Sequence, residues 1–357
     1  MLLGCAEAPP FDAAAHLRSQ SAPRLDAEAA ARLEIPFELS PELLAGVDGL
    51  SGLRGDDRQR AQQIVDLIFG PLGLEYARYP TRTAEETLRD REGNCLSFVN
   101  LFLALARPKG LTPIYVEAVD RQGWSYRQGM VVSHGHIVAG LMVDGELETY
   151  DFLPYRPKAY RDLRPLSDRR ALAHFYNNLG AEALLAEDPA AAEKQLALVQ
   201  AVDPEFVSGL NNLGLARARL GRFDEARVAY RRGLDLEPRN IALLTNLARL
   251  HQQQGEEDAA ETLLARVDAS RQASPFFYVY RGEQALARGD HQEALTHLRE
   301  ALRRDSEIPE VHLGLVNLYL ALGELRRARH HLRRVEKLDP SHPEAEGYRQ
   351  LLAESPP

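Results

Sequence analysis

An α+β domain followed by an all-α solenoid of helical repeats is the fold class that the sequence predicts, on three observations. An almost wholly apolar helix starts at Cys95 and is stopped by Pro108 and Gly110. Four β-type runs follow it, two of them joined by Asp144-Gly145. From Ala171 onward alanine returns every 34 residues, at Ala192, Ala226, Ala260, Ala294 and Ala328. Helices followed by antiparallel strands make an α+β architecture, and a fixed long period makes a solenoid.

The 357 residues suffice for roughly two or three domains. Net charge is −9, and the basic residues sit on helical faces beside acids, which argues against nucleic acid as a partner. The two cysteines, Cys5 and Cys95, supply neither a disulfide framework nor a zinc site, and no cofactor is implied. No run of about 18 apolar residues is present.

In residues 1–23, Met1-Leu2-Leu3-Gly4-Cys5-Ala6 resembles the end of a bacterial lipoprotein signal, in which the cysteine is lipidated and becomes the mature N-terminus. An Ala- and Pro-rich tether follows. Such signals need a basic and then an apolar region before the cysteine, so the resemblance requires a start further upstream. On that reading the protein is held in the cell envelope, facing the periplasm, by a lipid on Cys5. Without it the protein is cytoplasmic.

Residues 24–170 form the first domain. Amphipathic helices are expected over Leu25–Leu33, Pro41–Val47 and Asp57–Phe69, and Thr83 caps another with an acidic first turn. Cys95 opens the apolar helix, where unpaired backbone N–H groups and the helix dipole favour a negative charge. The bland alternative for a lone cysteine is a small core residue. Asn94 reads as the helix cap. Strands are expected over Thr112–Val119, Met130–Ser133, His136–Val143 and Glu146–Leu153, with Trp124 and Tyr126 in a polar loop that could rim a groove.

A two-residue Asp-Gly connection is a type I′ hairpin signal, so Val143 should face Glu146. Counting back sets Met142 opposite Leu147 and Val138 opposite Asp151. His136 and Asp151 then share a face as diagonal neighbours about 7–8 Å apart, which their side chains can bridge. His134 pairs with Tyr155, roughly 13 Å along the strand from Asp151. The register therefore selects His136. Cys95, His136 and Asp151 supply a nucleophile, a general acid/base and a group that orients the imidazole. A metal on His134-Gly135-His136 lacks a third ligand at motif spacing.

Gly93-Asn94-Cys95-Leu96-Ser97 running into an apolar helix, then a strand from His136 and a strand ending in Tyr150-Asp151-Phe152, resembles the bacterial transglutaminase-like family, relatives of papain-fold thiol enzymes. The resemblance covers roughly residues 60–155. It implies Cys95 as nucleophile, His136 as acid/base and Asp151 as orienter. Ile137-Val138 stands where many members carry an aromatic residue.

Residues 171–341 read as five repeats. Gly180, Gly214 and Gly282 recur in first helices, Gly221, Gly255, Gly289 and Gly323 mark turns, and Pro204, Pro238 and Pro340 mark repeat ends. This resembles the tetratricopeptide repeat. Residues 342–357 supply a capping helix and tail. Such arrays bind proteins or peptides on a concave face, which is expected to be lined by Asn177, Ala181, Asn211, Leu215, Thr245, Arg249, Val279, Glu283, Leu313 and Asn317. The implied function is thiol-dependent acyl transfer or hydrolysis at an amide bond of a protein or peptide, transglutaminase-like or cysteine-peptidase-like. The alternative is a non-enzymatic repeat adaptor with an inactive thiol domain.

Overall fold

The computed structural model describes residues 13–21, 33–119, 124–127, 130–133, 136–152, 160, 162–268, 275–340, 342 and 344–354. Cys5, His134, Tyr155 and all but the last residue of the Leu25–Leu33 helix lie outside them.

Caps and apolar spacing set the helices of the first domain. After α1 (Ala13–Ser21) and α2 (Pro41–Ala45), Asp56 and Gln59 form a capping box that starts α3 (Asp57–Phe69). β1 (Glu75–Tyr76) runs parallel to β2 (Glu92–Gly93), and between them Thr83 caps α4 (Ala84–Asp90), reciprocated by Glu86. Asn94 then caps α5 (Cys95–Ala106), its side chain accepting from Ser97 N–H. Every residue of α5 after Cys95 is buried, as an apolar surface on all sides requires.

The main sheet takes β3 (Ile114–Val119), β6 (His136–Val143), β7 (Glu146–Tyr150) and β8 (Asp162–Leu166) in the order β7-β6-β3-β8, all antiparallel. β4 (Trp124–Arg127) and β5 (Met130–Ser133) form a separate two-stranded sheet, which corrects the expectation that Trp124 and Tyr126 occupy a loop. Their Trp-Ser-Tyr run has the composition of a strand. β8 was not foreseen because Pro165 interrupts it. Proline lacks a ladder donor, and it is tolerated here because β8 is an edge strand. The Asp144-Gly145 turn has positive φ at both residues, 53° and 84°, as a type I′ turn demands, and Val143 faces Glu146.

Helix pairs make up the rest: α6 (Asp168–Leu185) with α7 (Pro189–Val202), then α8 (Val207–Arg219), α9 (Phe223–Leu236), α10 (Ile241–Gln253), α11 (Glu257–Asp268), α12 (Pro275–Ala287), α13 (His291–Arg304), α14 (Pro309–Ala321) and α15 (Leu325–Leu338), closed by α16 (Ala345–Glu354). All five period-34 alanines are wholly buried. A methyl at Gly180 would stand 2.6 Å from Leu196, so only glycine lets α6 approach α7 this closely.

Two compact units divide the chain. One holds α5 and the main sheet and continues through Arg222; the other comprises Ser125–Val132 and the chain from Phe223 on. The first unit runs into the repeats because α6 is bonded to it. Tyr176 Oη bridges the backbone of Glu34, and Arg107 grips Asp168 with two hydrogen bonds of 2.9 and 2.7 Å.

Candidate functional site

Cys95 stands at the first position of α5, half-buried. The helix's own hydrogen bonds begin with Phe98 N–H to Asn94 O, and Ser97 N–H is taken by the Asn94 side chain. Cys95 and Leu96 N–H thus lie outside the helical ladder, where they can face a developing oxyanion. One turn on, Phe98 packs its ring 6.0 Å from that of Phe152, the neighbour of Asp151, and Phe102 stacks on Tyr150 at 5.3 Å. These aromatic contacts fix α5 against the end of β7, and so fix Cys95 relative to Asp151.

His136 opens β6. Its Nε2 lies 3.2 Å from Asp151 Oδ1 and 2.9 Å from Tyr160 Oη, and Tyr160 Oη in turn donates to Asp151 Oδ2. With Nε2 engaged on that side, Nδ1 is the nitrogen that can serve the thiol. Burial pulls the His136 pKa down. Hydrogen bonds to Asp151 and Cys95, with the negative charges of both, outweigh it and raise the value to about 10. The arrangement holds a cationic imidazole beside the thiol, a pairing in which a cysteine can attack an acyl carbon and the imidazolium can protonate the leaving amine.

The structure thus brings Cys95, His136 and Asp151 together, and adds Tyr160, which sequence reasoning missed. Tyr160 lies in no periodic element or motif, and its place follows only from the chain's return to β8 beside β3. His134 lies outside the described residues, and among those residues no three His, Cys, Asp or Glu side chains are grouped as for a metal ion. Asn100 is a core residue whose Oδ1 accepts from Tyr115 Oη at 2.8 Å.

On the repeats the expected concave lining is corrected. Asn177, Ala181, Asn211, Leu215, Thr245, Val279 and Leu313 are all buried. α6 packs against both α7 and α8 of the next repeat, and α12 likewise against α13 and α14, which leaves such positions inside the stack: Asn212 Nδ2 donates to Asn177 Oδ1 at 2.9 Å, and Asn211 Nδ2 to Asn212 Oδ1 at 3.1 Å. Arg249, Glu283 and Asn317 remain partly exposed.

Two family profiles, each described as tetratricopeptide repeat, match residues 177–241 and, in two blocks, 217–276 and 285–354. Tetratricopeptide repeats fill this part of the chain. Such repeats are protein-binding scaffolds. The chain is 30% identical over 137 residues to the cellulose synthase operon protein C of Pseudomonas fluorescens, covering 36% of this chain and 11% of that protein. It is 26% identical over 161 residues to tetratricopeptide repeat protein 8 of Caenorhabditis elegans, covering 44% and 32%. It therefore spans about a tenth and a third of these relatives. Among solved structures, a thermophilic tetratricopeptide repeat protein of Thermus thermophilus matches at 19% identity and a TM-score of 0.42, covering 49% of this chain and 96% of that one. Pseudomonas aeruginosa pilF matches at 19% and 0.39, covering 53% and 86%.

Proposed function

We propose that the protein performs thiol chemistry on an amide bond of a protein or peptide held by its tetratricopeptide repeats. The observation that carries this is the grouping of Cys95, His136 and Asp151, with the thiol at a helix start and Nε2 of the imidazole held by a carboxylate. The order Cys, His, Asp, with Cys95 opening a buried helix, His136 opening β6 and Asp151 directly after β7, supports the transglutaminase-like, papain-related reading of this unit. In the proposed reaction Cys95 attacks the amide carbon, His136 passes its proton to the leaving amine, and Asp151 stabilises the imidazolium. An amine or water then releases the acyl group. The second reading is an adaptor with an inactive thiol unit. It is favoured by the family matches falling on the repeats alone, downstream of all three residues.

The test is incubation of the full chain and of Cys95→Ala with casein and a fluorescent primary amine. Cys95-dependent amine incorporation marks transfer, and Cys95-dependent ammonia in excess of the amine incorporated, or new N-termini, marks hydrolysis. Identical behaviour of the two proteins in all three readouts, with a thiol that alkylates like a model peptide, leaves the adaptor. Anchoring through Cys5 is part of the same proposal: expressed with its upstream coding region in a bacterium, the chain should carry lipid on Cys5 and sediment with membranes.

A further inference from the structure

The start of the Cys95 helix is held in place by a carboxylate from the first repeat. Glu182, on α6, accepts from Thr81 N–H at 2.9 Å and from the Thr81 hydroxyl at 2.6 Å. Thr81 Oγ1, its proton committed to Glu182, accepts from Asn94 Nδ2 at 2.7 Å. That leaves Asn94 Oδ1 facing the helix, where it accepts from Ser97 N–H and from Ser97 Oγ, each at 3.0 Å. Ser97 Oγ in turn accepts from Arg82 N–H at 2.8 Å, so the 81–82 segment is pinned to the first turn of α5 at both residues. Thr81, Asn94 and Ser97 are buried, leaving little water to replace a lost partner.

The direction of each bond matters. Burial raises the Glu182 pKa, against which the two Thr81 hydrogen bonds and the Arg82 charge favour the carboxylate; the carboxylate form only accepts, so it fixes the Thr81 hydroxyl as a donor towards α6. The hydroxyl's lone pairs then fix which end of the Asn94 amide points at Ser97. An amide turned the other way would set NH₂ against the Ser97 N–H and remove the cap, and Cys95 is the residue directly after that cap. We propose that Glu182 is a positioning residue for the Cys95 thiol, acting through Thr81 and Asn94. This rests on the reading of Cys95 as the nucleophile. It makes the first repeat part of the apparatus that sets thiol reactivity, beyond any part in holding a partner.

The experiment uses the full chain and iodoacetamide. Alkylation of the Cys95 peptide is followed by mass spectrometry from pH 5 to pH 8, with the thermal midpoint measured in parallel. Thr81→Val keeps the shape and removes the hydroxyl, Thr81→Ser restores it, and Glu182→Gln offers a donor that lets the hydroxyl reverse. Thr81→Val and Glu182→Gln should slow alkylation at pH 6 about tenfold and move the acid limb of the rate profile to higher pH, while Thr81→Ser tracks the wild type. Lower midpoints with unchanged rates and profile would show that the tie is only structural and overturn the proposal. Should Glu182→Gln not fold, the Val and Ser variants at Thr81 decide alone. A wild-type Cys95 that alkylates no faster than a model peptide removes the nucleophile reading, and this proposal falls with it; a fast wild type with a fast Thr81→Val refutes this proposal only.

Discussion

Replacing His136 with alanine should slow alkylation of Cys95 by up to about tenfold at pH 6. The imidazole's pKa stands at about 10 against an ordinary 6.5, which corresponds to about 5 kcal/mol favouring its charged form. Asp151 and Cys95 both contribute by hydrogen bond and by charge, so the variant takes from the thiol a charge-assisted hydrogen bond, worth about 1.5–3 kcal/mol. About half of the logarithm carries into the rate of attack, because the Brønsted slope for an attacking sulfur is about 0.4–0.5. Each 1.4 kcal/mol is a factor of ten, which leaves a loss of up to about tenfold. The assay is time-resolved iodoacetamide labelling with peptide-level mass spectrometry, because Cys5 must be counted apart from Cys95, and circular dichroism confirms folding. A folded His136→Ala chain that labels at the wild-type rate refutes the ion-pair reasoning.

His134→Ala should change the same rate less than about tenfold, whereas on any accepted amide His136→Ala should lower kcat/KM by several orders of magnitude. Asp151→Asn should be severe in kcat, and Tyr160→Phe should fall between it and wild type, because Tyr160 touches both partners while Asp151 alone carries the charge; steady-state kinetics rank the three. The raised His136 pKa stabilises the fold fully below pH 6.5, and the effect is lost as pH rises through about 10, so the thermal advantage of wild type over His136→Gln should shrink between pH 7 and pH 10 in calorimetric scans. A chain ending at Arg222 should fold and keep Cys95 reactivity, while one ending at Arg170 should not give native protein, since it loses the bonds from Tyr176 to Glu34 and from Thr81 to Glu182; circular dichroism and alkylation check both.

Much of the scaffold was legible because it rests on local chemistry. Thr83 and Asn94 announced helix starts by residue type, and each accepts the expected backbone N–H. Asp144-Gly145 announced a turn and a register observed from Val143–Glu146 to Ala139–Tyr150; the strand stops there, short of the expected Leu153, and Asp151 meets His136 through its side chain just beyond the ladder. What stayed hidden depends on long-range packing. Tyr160 reaches the site from a segment with no period to read, and β8 carries a proline that argues against a strand unless its edge position is known. The groove positions failed for a related reason. Counting along one helix says which residues share a face, and the neighbouring repeat decides whether that face is open, as it does where Asn212 bonds to the buried Asn177.

The continuation of the first unit through Arg222 bears on how such a chain can change length over time. In a repeat array each unit leans on its neighbours, so copies are readily gained or dropped where those neighbours are alike. The opening repeat is not interchangeable with the others. Its Tyr176 and Glu182 answer to Glu34 and Thr81, residues of the domain that precedes the array. Duplications and losses should therefore accumulate towards the C-terminal end, and a graft that exchanges the array for another should join beyond α8, in the turn at Gly221, where the backbone φ of 75° already asks for glycine.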